Sequence, residues 1–252
     1  MMSALSDLSL TDRIALPTRA VRQWSVNHFK TWRRCRRKFE LDVVQALRWP
    51  SDQRNFALGQ DVHKLMDYQA RGFDCEALVA AASPGVQRAW RLLMAHPASQ
   101  WPAIASEWGF LTPLATTPRS WLTGRIDRIS KDPQTGRIWV IDWKTGTAAP
   151  REPHADWQTI AYRYAVCEAK RELGLDASFR PEEIGFLYVE VKDRIRVMEI
   201  PYDQDAHEAA RCLLRDTAQA MTDARAFPLP PSCPDRHCPY SPVCGIRATS
   251  GP

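Results

Sequence analysis

The chain has 252 residues, 44% hydrophobic and 25% charged, with a formal net charge of +5. That balance excludes a disordered or fibrous chain and leaves room for a sizeable buried core. No apolar run approaches the ~18 residues of a bilayer span, and residues 1–20 lack the basic start and apolar stretch of a secretory signal, so no membrane association and a cytoplasmic location are expected.

Residues 1–22 read as a flexible leader, and 23–252 as a single domain: a helical part over 23–100, a core over 101–225 and a tail over 226–252. A helix is predicted from Ser25, its N-cap, to about Val44, anchored by Trp24, Phe29, Trp32 and Phe39. It carries Arg33, Arg34, Arg36, Arg37 and Lys38, either a solvated face or a patch for a polyanion. A second helix spans about Asn55 to Arg71, with Leu58, Val62, Leu65, Met66 and Gln69 along one side. Shorter helical pieces near 75–82 and 85–95 are split by Ser83-Pro84-Gly85.

The period then changes. Residues 103–111, 119–130 and 137–144 read as strands, the last two joined by the hairpin loop Lys131–Gly136. A helix over about Asp156 to Leu173 follows, then strands near 183–191 and 194–200 and a helix over about Gln204 to Ala224. The order predicts an α/β fold, a mixed sheet flanked by helices, with a Pro- and Cys-rich C-terminal tail.

The chemistry concentrates at Val140-Ile141-Asp142-Trp143-Lys144-Thr145-Gly146. Side chains at i and i+2 of a strand share a face, so Asp142 and Lys144 emerge together, as a plain ion pair or as part of a site. The hairpin brings Asp127, within the preceding strand, near Asp142. Two neighbouring carboxylates repel unless a cation lies between them, and a divalent metal satisfies oxygen ligands. His63 sits on a helix one turn after Gly59, as a structural histidine or a third ligand. Gln158 and Tyr162, again spaced i, i+4, form a half-exposed helix face or a paired polar grip. Glu107 is either a supporting carboxylate or an edge-strand surface residue.

Taken in order, Gly59 through His63, Gly124 through Asp127, Asp142-Trp143-Lys144 and Gln158 through Tyr162 resemble the motifs of RecB-type PD-(D/E)XK nucleases, over about residues 24–245. The resemblance implies a restriction-endonuclease-like core and a metal-dependent DNA exonuclease. It implies His63, Asp127, Asp142 and the Trp143 carbonyl as ligands of Mg²⁺ or Mn²⁺, and Lys144 as the catalytic lysine. It also implies Gln158 and Tyr162 as residues that position nucleic acid, and Glu107 as the acid of the preceding strand.

Of seven cysteines, Cys75, Cys167 and Cys212 read as small buried hydrophobes, whereas Cys233, Cys238 and Cys244 cluster in the Pro-rich tail as a metal site needing a fourth ligand. The chain is similar here to AddB-type and CRISPR-associated exonucleases, which implies a 4Fe–4S cluster on Cys35, Cys233, Cys238 and Cys244. A structural zinc with His237 as competing ligand is the alternative. The expected partners are DNA, including single strands, and a helicase or other repair or defence protein. The chain has no phosphate loop and so no motor of its own. The rival readings are a non-cleaving DNA-binding module and a zinc-stapled interaction protein.

Overall fold

The computed structural model describes residues 22–47, 57–116, 119–145, 148–235 and 238–245. The expectations for the leader through residue 21, Asn55, Gly146, His237 and the last residues of the tail lie outside them. The strands are β1 (Arg22–Ser25), β2 (Ala103–Thr116), β3 (Arg119–Lys131), β4 (Ile138–Lys144), β5 (Ile184–Val191) and β6 (Ile195–Pro201). The helices are α1 (Val26–Arg34), α2 (Arg36–Phe39), α3 (Ala57–Ala70), α4 (Glu76–Ala81), α5 (Pro84–Met94), α6 (Trp157–Glu168), α7 (Gln204–Asp223) and α8 (Ser241–Cys244). The expected mixed sheet is present. It runs β1-β3-β4-β5-β6, with β1 parallel to β3, β4 parallel to β5, and the remaining neighbours antiparallel. β2 follows one edge of β3, while β1 and β4 divide the other. Parallel β4 and β5 need a crossover, and α6 supplies it.

The alternation along the central strands fixes the layers. Ile138 and Val140 of β4, with Ile184, Phe186 and Tyr188 of β5, pack in one core with Phe29 of α1, Tyr164 of α6 and Leu214 of α7. Trp139, Ile141 and Trp143, with Leu187 and Val189, pack in the other with Val62 and Met66 of α3 and Leu93 of α5. Gly185 lies where Trp139 crosses β5: a Cβ there would sit 2.3 Å from the indole ring. Trp139 is buried and β5 is paired on both sides, so neither has free space to yield, and Gly185→Ala is expected to cost about 2 kcal/mol, read as a lowered denaturation midpoint.

The differences from the sequence reading have local causes. The first helix is broken at Cys35, whose extended backbone (φ −157°, ψ 113°) ends α1 and begins α2. Its sulfur takes the Lys38 N–H at 3.4 Å as the cap of the second segment. The crossover helix ends at Glu168 because the chain turns through 169–174, where Gly174 takes φ +66°. Among the scattered cysteines, Cys75 is buried, Cys167 half-buried and Cys212 exposed. The last corrects the expectation of a buried thiol: α7 buries His207, Ala210, Leu214, Ala218 and Met221, a stripe that Cys212 lies off. Strand β1 was not foreseen; four residues ahead of a helix carry too little period to be seen.

Candidate active site

The site forms where two paired strands part. The β3–β4 ladder runs from Lys131↔Ile138 to Arg128↔Ile141 and goes no further. Beyond it Asp127 supplies what the ladder no longer does: its Oδ2 accepts the Trp143 N–H at 3.0 Å. The Trp143 carbonyl meets His63 Nε2 at 2.9 Å, so α3 is tied to the same residue. The approach of α3 needs Gly59, where a Cβ would lie 3.2 Å from the Thr145 hydroxyl.

His63 Nδ1 lies 3.5 Å from Asp127 and 3.8 Å from Glu107. These three residues offer ligand atoms all within 4.8 Å of one another. Glu107 reaches the group from an unusual backbone, φ +46° within a strand, a region costly for residues other than glycine. Arg125 holds its second oxygen at 2.8 Å.

Asp142 and Lys144 share the face predicted from their spacing, with Lys144 Nζ 2.7 Å from Asp142 Oδ2. Gln158 joins them, accepting from Lys144 Nζ at 3.3 Å through Oε1 and donating through Nε2 to Asp142 Oδ1. Asp142 is thus turned toward Lys144 and Gln158, beside the His63–Glu107–Asp127 group. The Tyr188 ring lies under the ammonium, 5.5 Å from centroid to Nζ. Tyr162, one turn after Gln158, is wedged between Phe110 and Phe186. Gly124 leaves room for this packing: a Cβ would stand 2.7 Å from Phe110 and 3.3 Å from Tyr162.

The electrostatics are those of crowded acids. Burial, and then the neighbouring Asp142 carboxylate, raise the Asp127 pKa to about 7, against the opposing pull of His63 and the Trp143 N–H. Burial disfavours the charged form of His63, but Glu107, Asp127 and the Trp143 carbonyl outweigh it and raise its pKa to about 9. Burial and the two aspartates push the Tyr162 phenol well above its usual range, so it stays protonated. Carboxylates this close, joined by an imidazole, form a donor set that fits a divalent cation, and a cation would relieve the repulsion that raises Asp127.

The remaining predicted residues collect elsewhere. Cys35, Cys233, Cys238 and Cys244 line one small cavity between α1, α2 and the tail. Arg34 donates to the Pro234 carbonyl at 3.2 Å and faces Asp235 at 3.7 Å. Lys38 reaches Asp235 at 3.5 Å, Arg36 lies 3.5 Å over the Trp32 ring, Arg37 pairs with Glu40, and Arg33 is exposed. Arg34 and Lys38 of the basic run therefore dock the tail. Sequence reasoning passed over Asp156 and Tyr188. Asp156 caps α6 by accepting the Gln158 N–H at 2.8 Å, and an Asp immediately before a helix is a readable signal. Tyr188 gave none, since an aromatic residue in a buried strand is ordinary core.

A sequence model of the PD-(D/E)XK nuclease superfamily matches residues 23–245. No curated protein matches the chain. Among solved structures, a candidate exonuclease from Eubacterium rectale is similar with a TM-score of 0.51 and 10% identity, over 90% of this chain and 89% of that one. At that identity the likeness is one of fold.

Proposed function

Because the chain belongs to the PD-(D/E)XK nuclease superfamily, and its mixed sheet flanked by helices is a restriction-endonuclease-like core, we propose that it is a RecB-like exonuclease. It hydrolyses phosphodiester bonds of DNA, including single strands, with Mg²⁺ or Mn²⁺, in DNA repair, recombination or defence. The observation that carries this reading is the His63–Glu107–Asp127 group beside the Asp142–Lys144 pair, at the point where β3 and β4 separate.

In this reading His63, Glu107 and Asp127 hold the ion, joined by Asp142 and the Trp143 carbonyl. The ion, when bound, neutralises phosphate charge and activates water. Lys144 sets its ammonium against the negative charge that develops on the phosphate and orients the attacking water. Gln158 fixes where that ammonium points, and Tyr162, kept protonated, serves as a donor to the nucleic acid. Arg33, Arg34, Arg36 and Arg37 add positive potential along α1 and α2, which favours a polyanionic strand. A helicase or other repair or defence protein is the partner this reading expects. The test is incubation with end-labelled single- and double-stranded DNA, with Mn²⁺ or with chelator. Metal-dependent release of mononucleotides from an end supports the reading; no cleavage of either substrate with any divalent ion contradicts it.

The four tail-side cysteines are read as ligands of a 4Fe–4S cluster that staples the tail to α1. What supports the reading is that all four line one cavity between α1, α2 and the tail. Anaerobically purified protein is expected to be brown, with a broad visible absorption that reduction bleaches. Cys35→Ala should lose most of its iron and sulfide; a colourless protein with one zinc would overturn the assignment.

A further inference from the structure

Asp156 has no part in the reaction as derived above, yet both of its carboxylate oxygens are committed. Oδ1 accepts the Gln158 N–H at 2.8 Å and faces the Tyr188 hydroxyl at 3.4 Å. Oδ2 faces Lys30 Nζ of α1 at 3.1 Å. Gln158 is the residue whose amide touches both Lys144 and Asp142. Next to the ion pair, Phe29 of α1 stacks on Trp157, the first residue of α6, with centroids 5.1 Å apart and planes at 24°. Two contacts from successive residues of α1, one apolar and one ionic, therefore meet the start of the helix that carries Gln158. The distant end of α1 is Cys35, at the cysteine-lined cavity.

We propose that Asp156 is a positioning residue for the nuclease site, held by Lys30, and that the pair sets Gln158 and through it Lys144. The proposal rests on the nuclease reading. Capping alone does not account for the arrangement, because a cap needs one oxygen and no charge, and asparagine caps as well as aspartate. The second oxygen meets an ammonium from another helix. That pair is partly exposed, with side chains 39% and 18% accessible, so it adds little to global stability. Its effect belongs in the aim of the Gln158 amide, where a small displacement moves the Lys144 ammonium off the reacting phosphate.

The experiment uses the full chain and compares wild type, Lys30→Gln, Lys30→Arg, Asp156→Asn and the double variant Lys30→Gln/Asp156→Asn. Cleavage of end-labelled DNA is measured with thermal unfolding and amide hydrogen exchange across residues 157–162. Asp156→Asn and Lys30→Gln should each lower kcat about tenfold, with KM within about twofold of wild type. The double variant should be no worse than either single one, since both break the same contact. Lys30→Arg should stay near wild type. Exchange should quicken in the first turn of α6 while Tm falls by no more than about 3 °C. Unchanged kcat in both single variants, multiplying losses in the double one, or a loss seen only in KM or Tm overturns the pair's role while leaving the nuclease reading intact. A wild-type protein that cleaves no DNA overturns that reading, and this role with it.

Discussion

Lys144→Ala is expected to lower the rate of DNA cleavage by about 10²–10³-fold, the range for loss of one preorganised charge-stabilising group, while DNA binding stays within about threefold. The argument begins with strand geometry. Lys144 leaves the end of β4 on the same face as Asp142 and is held by the Asp142 carboxylate at 2.7 Å, the Gln158 oxygen at 3.3 Å and the Tyr188 ring below it. A cation fixed from three sides needs no reorganisation when negative charge grows on a phosphate, and this is where its contribution exceeds that of a mobile lysine in water. It is one among many basic groups available to a DNA strand, so ground-state affinity depends on it weakly. Its removal leaves Asp142, 3% exposed, without its counter-charge, so unfolding has to be followed in parallel. Parallel loss of binding and cleavage would indicate misfolding and not a role in the chemistry.

Asp127→Asn is the second large effect. The amide oxygen can still accept the Trp143 N–H, so the parting of β3 and β4 is retained, but the charge at the centre of the His63–Glu107–Asp127 group is gone. Mn²⁺ affinity is expected to fall by about 10–100-fold or more, with cleavage lost at low Mn²⁺ and partly recovered in excess. Undiminished cleavage with unaltered Mn²⁺ binding would show that Asp127 is not a ligand. The same variant should be more stable than wild type in chelator. Folding raises the Asp127 pKa to about 7 from its ordinary 3.8. Between those values the folded state holds a proton that the unfolded chain releases, so stability falls as pH rises through the interval. Asparagine has no such titration. Above pH 7 the variant should therefore melt higher than wild type, and Mn²⁺ added to wild type should close the gap. A site that strains its own fold until a cation arrives is the usual compromise between stability and function.

How much of this was legible depends on the range of the interaction. The face shared by Asp142 and Lys144 follows from a two-residue period, and the structure places the two groups 2.7 Å apart. The hairpin that brings β3 beside β4, the Ser25 cap and the crossover helix were readable for the same local reason. The site's particular geometry was not. The ladder stops at Arg128↔Ile141, and Asp127 then meets a backbone N–H 16 residues away; no periodicity encodes where strands part. Glu107 reads in sequence as a supporting carboxylate or an edge-strand residue, and nothing in the pattern around it announces its left-handed φ of +46°. The arginines of α1 and α2 suggest a nucleic-acid face in sequence, but Arg34 and Lys38 turn to Asp235 because the tail folds back over 200 residues of chain. Asp156 announced itself as a cap, while its second partner, Lys30, lies on a helix 126 positions earlier.

The central claim is that one divalent ion sits among His63, Glu107 and Asp127, next to Lys144. Anomalous diffraction from crystals of the full chain soaked in Mn²⁺ tests it most directly. The account predicts a manganese peak within about 2.5 Å of donor atoms from these residues, with the Lys144 ammonium nearby, and no such peak in Asp127→Asn at the same Mn²⁺ concentration. Crystals saturated with Mn²⁺ whose peaks all lie elsewhere, with the His63–Asp127 and Lys144–Asp142 contacts unchanged, would contradict it.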